Sequence, residues 1–171
     1  MKRVVWKCLL ALCLSPLCVG VNAQDASSGN ARGKVVLRVS GLVAQAGADG
    51  TVSLDEAALN ALPEHSFTTT APWFKEKATF SGPYLSDLLQ AVGAKGTMLT
   101  IRALNDYKVQ VPVSDAAEFR PILARKINNK PINVRDKGPL FLIYPFDSVP
   151  SLNTDVYFAR SIWQIKSIQV D

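Results

Sequence analysis

After Cys18 the sequence contains no cysteine, and the whole chain has a single histidine, His65. One histidine cannot assemble a zinc or copper site, whose ligands are imidazole and thiolate clusters. If the first residues leave on export, no disulfide can form either, and the core alone must hold the fold. Runs of like charge are also missing. Of 19 basic and 14 acidic residues, Lys2, Arg3 and Lys7 lie at the extreme N-terminus, leaving 16 against 14, a balance of +2. A nucleic-acid reader usually carries a clustered basic face, so no nucleic-acid partner is expected. The one long apolar run, Cys8–Val21, is broken by Ser15-Pro16 and Gly20, and it falls short of the roughly 20 residues a bilayer span requires.

What is present at the start has the anatomy of a secretory signal. Lys2, Arg3 and Lys7 precede the apolar run, and the small residues of Val21-Asn22-Ala23 precede a cut at Gln24. An uncleaved anchor is the alternative. A lipid-anchored Cys18 is disfavoured by bulky Leu17 directly before it. The expected organisation is a signal peptide over 1–23, a polar linker over 24–33 and one domain over 34–171, with no direct membrane insertion after cleavage.

Within the domain, Val35, Leu37 and Val39 alternate with Val36, Arg38 and Ser40, the period of a strand. Gly47-Ala48-Asp49-Gly50 reads as a tight reversal. Ser53-Leu54-Asp55-Glu56 reads as a capping box opening a first helix on the Ser53 hydroxyl. A second helix starts at Pro83, carries a stripe of Leu85, Leu88, Leu89 and Val92, and stops at Gly93. Met98–Ala103 and Tyr107–Val111 are strands around an Asn105-Asp106 turn, with Tyr107, Val109 and Val111 on one face. Ser114 is placed to cap a short helix ending before Pro121. Strands are expected over Ile122–Ile127, Leu140–Tyr144 and Ile162–Val170, with a turn at Asn128-Asn129. Hairpins beside two or three helices indicate an α+β domain with mixed sheets and a few short helices.

Several pieces occur in a telling order: VSGLV at Val39–Val43, SLDEAALNALP at Ser53–Pro63, FSGPYLSDLLQAVGA at Phe80–Ala94, ALNDYKVQVP at Ala103–Pro112, ARKINNKPI at Ala124–Ile132, KGPLFLIYP at Lys137–Pro145 and SIWQIKSIQV at Ser161–Val170. In this order the chain from Leu37 onward resembles the molybdopterin-binding domain of the sulfite oxidase family. In those enzymes a cysteine soon after the first helix binds molybdenum. The corresponding stretch here is Phe67-Thr68-Thr69-Thr70-Ala71-Pro72-Trp73, and threonine hydroxyls do not replace a soft thiolate. The chain is more similar to short secreted members of the group that lack the ligand, known as periplasmic pterin-binding regulators. That resemblance implies a periplasmic, non-enzymatic protein that binds a pterin without molybdenum. It also implies a partner, the periplasmic domain of a membrane signalling protein such as a cyclic di-GMP synthase or phosphodiesterase. The alternative it leaves open is a molybdopterin-dependent oxidoreductase or its subunit.

A pterin is a flat bicycle with an amide-like edge, so its site should offer an aromatic face and polar edge readers. Trp73, after Pro72, is the first candidate for stacking, with an ordinary core role as the alternative. Thr69 and Thr70 stand where the metal ligand would be and either line the pocket or face solvent on a strand. Asp106 is placed to accept from the pterin's amino and ring N–H groups, unless Asn105-Asp106 merely makes the turn. Tyr107 is expected half-buried with its hydroxyl at the pocket. Arg160, before the last strand, is preferred over Arg135 and Lys137 as an anion contact. Trp163 is expected in the core and His65 in solvent.

Overall fold

The computed structural model describes residues 31–171. The expected signal peptide over 1–23 and most of the expected linker over 24–33 lie outside the described residues. Among the described residues no helix is long and apolar enough to cross a membrane.

The chain opens with two antiparallel strands, β1 (Val35–Gly41) and β2 (Thr51–Asp55), joined through the Gly47–Gly50 reversal. Helix α1 (Glu56–Asn60) follows directly. Its cap is Asp55, whose carboxylate accepts the Ala58 N–H at 2.9 Å, and not Ser53 as the sequence pattern indicates. Ser53 is held in the ladder opposite Arg38, so the chain stays extended for two more residues. Glu56 is engaged by Arg125 instead of reaching back to a cap.

Strands β3 (His65–Thr69) and β4 (Ala78–Gly82) form the next antiparallel pair. No strand is evident at Ala78–Gly82 from sequence periodicity, because Phe80, Ser81 and Gly82 are all buried and the two-residue alternation is lost. His65, expected in solvent, is instead half-buried. Its Nε2 lies 3.0 Å from Asp87 Oδ2 and its ring stacks on Tyr84 at 3.9 Å. Helix α2 (Leu85–Ala91) buries Leu85, Leu88 and Leu89, and Gly93 follows with φ +63°. Pro83 stands one residue before the cap instead of inside the helix.

Strands β5 (Met98–Ala103) and β6 (Lys108–Pro112) pair around the turn at Asp106, whose φ is +68°. Tyr107 precedes β6 and is exposed, correcting the expectation of a half-buried ring sharing a face with Val111. Helix α3 (Val113–Glu118) begins at Pro112, so Ser114 lies inside it. The expected strand over Ile122–Ile127 is two, β7 (Ile122–Ala124) and β8 (Lys126–Ile127), followed across the Asn128-Asn129 turn by β9 (Lys130–Pro131). Then come β10 (Phe141–Ile143), a 3-10 turn at Pro150–Leu152, helix α4 (Asp155–Arg160) and β11 (Ile165–Val170).

Three sheets result: β2-β1-β11-β5-β6, β3-β4-β8-β9 and β10-β7. The last strand inserts at the centre of the first sheet, parallel to β1 and antiparallel to β5. The small pair is stitched to β4 and its exit by Arg125 N–H to Ser81 O and Leu123 N–H to Pro83 O. Gly82 allows that approach, since a Cβ there would stand 2.1 Å from Leu123 O. All three sheets and the helices cover one apolar core, with Phe80, Phe141, Tyr144 and Phe146 among its largest members. The fold is α+β, with mixed sheets and short helices. In β5, Leu99, Ile101 and Ala103 face that core while Thr100 and Arg102 face outward, so the outer surface of the five-stranded sheet is polar.

Candidate functional site

At one end of the five-stranded sheet a cleft of about 410 Å3 opens between the β5–β6 turn, α4 and the segment entering β11. Trp73, Tyr107, Phe158 and Trp163 supply aromatic surface, and Asn105 and Gln164 supply amides. Each arrives for a local reason. Trp73 sits in the β3–β4 connection, where Phe74 N–H closes a turn on Ala71 O. Its ring meets Trp163 edge-on at 5.5 Å and also packs on Phe141 and Phe158. Trp163 is held from outside by Lys137, whose ammonium lies 4.1 Å from the ring centre. Burial lowers the Lys137 pKa from its usual value, in keeping with an ammonium set against aromatic rings.

The two amides are oriented by the backbone. Gln164 adopts φ +54°, and its Nε2 donates to Val134 O at 2.7 Å. Asn105 Oδ1 accepts the Tyr107 N–H at 3.1 Å in the manner of an Asx turn. The cleft therefore offers aromatic walls, with the side-chain amides of Asn105 and Gln164 and the hydroxyl residues Tyr107 and Ser161 among its lining. Among the described residues no carboxylate, imidazole, amine or thiol lines it. Such a lining suits recognition of a planar heterocycle.

Of the residues expected at a site, Trp73 and Tyr107 meet in this cleft. Thr69 and Thr70 do not line it; they clamp the loop that carries Trp73. The Thr69 hydroxyl donates to Thr70 O at 3.1 Å and accepts the Asp147 N–H at 3.0 Å, while the Thr70 hydroxyl donates to Asp147 Oδ1 at 2.5 Å. Lys77 pairs with the other Asp147 oxygen at 2.9 Å. The Thr70 hydroxyl first, and then Lys77, hold the Asp147 carboxyl down at about 2.

Asp106 makes the turn and directs its carboxylate away from the cleft, to Lys166 Nζ at 2.7 Å and Arg102 at 3.3 Å. Those two cations lower its pKa. Arg160 ends α4 and points inward, its guanidinium 2.9 Å from the buried Asp115 Oδ2, which also accepts the Tyr144 hydroxyl at 2.7 Å. Burial, and then the bond to Asp115, raise the Tyr144 pKa. Trp163, expected in the core, is instead only partly buried and forms a wall of the cleft.

Phe158 and Gln164 were not expected at the site. Gln164 belongs to the SIWQ piece, yet nothing in its spacing announces a positive φ. Among the described residues no group of three or more His, Cys, Asp or Glu could hold a metal ion. A family model described as the oxidoreductase molybdopterin binding domain matches residues 34–170. No curated protein matches the chain.

Proposed function

The chain belongs to the oxidoreductase molybdopterin-binding domain family, and from that premise we propose that it is an exported pterin-binding protein that works without molybdenum and signals to a membrane partner. The observation that carries the reading is the cleft itself. Trp73 and Trp163 give it aromatic walls, and Gln164 and Asn105 bring amides suited to reading a heterocycle's edge.

The donor chemistry supports the metal-free form. The family's enzymes use a thiolate where this chain has Thr69 and Thr70, and both hydroxyls are already engaged with Asp147 or the neighbouring backbone. Neutral hydroxyls in that state are poor partners for a metal that favours soft sulfur. These hydroxyls are thus poor ligands for the metal, and the aromatic walls and amides of the cleft support the pterin reading. Bound there, the heterocycle would stack on Trp73 and present its edge to Gln164 and Asn105. The finer role follows from the resemblance to short secreted pterin binders. The loaded protein would act in the periplasm on the outer domain of a membrane enzyme that makes or degrades cyclic di-GMP.

The test is a titration of a 6-substituted pterin into protein recovered from the periplasm, followed by tryptophan emission, with metal analysis of the same sample. Saturable quenching is expected. Trp73→Leu should weaken binding about 3- to 10-fold, since aromatic pairs are worth roughly 0.5–1.5 kcal/mol beyond burial and about 1.4 kcal/mol is a decade. Stoichiometric molybdenum would overturn the metal-free reading and favour a molybdopterin oxidoreductase. Unchanged affinity in Trp73→Leu would move the site elsewhere.

A further inference from the structure

The outer surface of the five-stranded sheet carries a second depression of about 390 Å3, open and polar, in which Arg38, Arg102 and Lys166 converge. Arg38 on β1 and Arg102 on β5 both register with Ser167 of β11. Their backbones therefore flank one strand and stand about 10 Å apart, twice the usual strand spacing. Lys166 lies between them, and Lys108 continues the row on β6 opposite Arg102. Ladder bonding occupies the backbone N–H groups here, so the face binds through side chains alone. Arg38 has no acidic partner among the described residues. Arg102 and Lys166 share one carboxylate, that of Asp106.

We infer that this sheet face docks an acidic extended segment of a protein partner, and that Asp106 is an intramolecular stand-in for one of that segment's carboxylates. The row of cations crosses the strands, and alternate residues of an extended chain project on one side about 7 Å apart, within reach of flexible Arg and Lys side chains. An open face without a backbone nest fits spaced carboxylates better than one compact anion. Asp106 also ties the face to the cleft, because its neighbours Asn105 and Tyr107 line the cleft while its carboxylate lies on the basic row. A ligand that shifts this turn would change how strongly Asp106 competes. The inference rests on the pterin reading only for the existence of a partner, and the face is tested without pterin.

The probe is an alternating Glu-Ser peptide, with Gln-Ser as the uncharged control, titrated into the full secreted chain at low salt. The acidic peptide should bind and the control should not. Arg38→Gln should weaken binding about 3- to 10-fold, and Asp106→Asn, which frees two cations, should strengthen it by a similar factor, both effects shrinking as salt rises. Binding indifferent to both substitutions, or no binding even in Asp106→Asn, would overturn the proposal. Displacement of the peptide by millimolar inorganic phosphate in the wild type and Asp106→Asn alike would also overturn it, in favour of a small-anion site. A failed peptide titration alongside a normal pterin titration would leave the cleft reading intact.

Discussion

Arg160 illustrates how a side chain's neighbours determine its role. Its guanidinium is one of two donors to Asp115 Oδ2, a carboxylate only 4% exposed, and the Tyr144 hydroxyl is the other. Arg160→Met would leave that charge buried with a single neutral donor. The loss should be about 2–3 kcal/mol, below the roughly 3–5 kcal/mol of a fully enclosed pair because Arg160 is partly solvated. Adding Asp115→Asn should recover part of it, since the stranded charge is gone. Denaturant midpoints of the three variants measure this. A wild-type midpoint together with weakened pterin binding would instead place Arg160 at the ligand. Sequence alone does not separate these roles: an arginine preceding a terminal strand reads as an anion contact unless the buried Asp115, 45 residues earlier, is known to lie against it. Asp106 is similar. Its turn is legible in Asn105-Asp106, but the direction of its carboxylate depends on Lys166, 60 residues away.

Elements with a clean period are legible almost to the residue, as in β5, and the apolar stripe of α2 is buried as its spacing requires. Those without one carry no such signal. In β4 the period is hidden by burial of nearly the whole strand, and α4 is too short for a stripe and buries none of its residues. Glycine marks one boundary that can be tested. Gly41 closes β1 with φ +88°, and a Cβ there would stand 2.1 Å from Val170 O on β11. Gly50 has φ +72° and open space around the same position. Gly50→Ala should therefore cost only the backbone term, about 1–2 kcal/mol. Gly41→Ala should cost distinctly more, because the strand ends must also separate. Urea midpoints of the pair isolate the close approach by difference. Equal losses would mean that the β1–β11 junction yields freely.

At the scale of the molecule, the cleft depends on a clamp between segments far apart in sequence. Asp147, just beyond the core residue Phe146, bonds Thr70 at the end of β3 and pairs with Lys77 before β4, so it fixes the loop that presents Trp73. Its carboxyl titrates at about 2 in the folded protein, against roughly 3.9 in an unfolded chain. A depressed folded pKa means that the unfolded state binds the proton first. The contribution is thus fully present above about pH 4 and is lost as pH falls towards about 2. Asp147→Asn removes that titration, so the difference in melting temperature between wild type and variant should be constant near neutrality and narrow through the acid window. Protonation also weakens the bonds to Thr70 and Lys77 and loosens the loop. Pterin affinity of the wild type should therefore fall over the same window before the fold is lost. Above that window the variant should bind more weakly than the wild type even where both are folded. A constant difference down to pH 2 would show that Asp147 is not held in this pairing. A narrowing difference with unchanged affinity would show that the clamp stabilises the sheets without setting the position of Trp73.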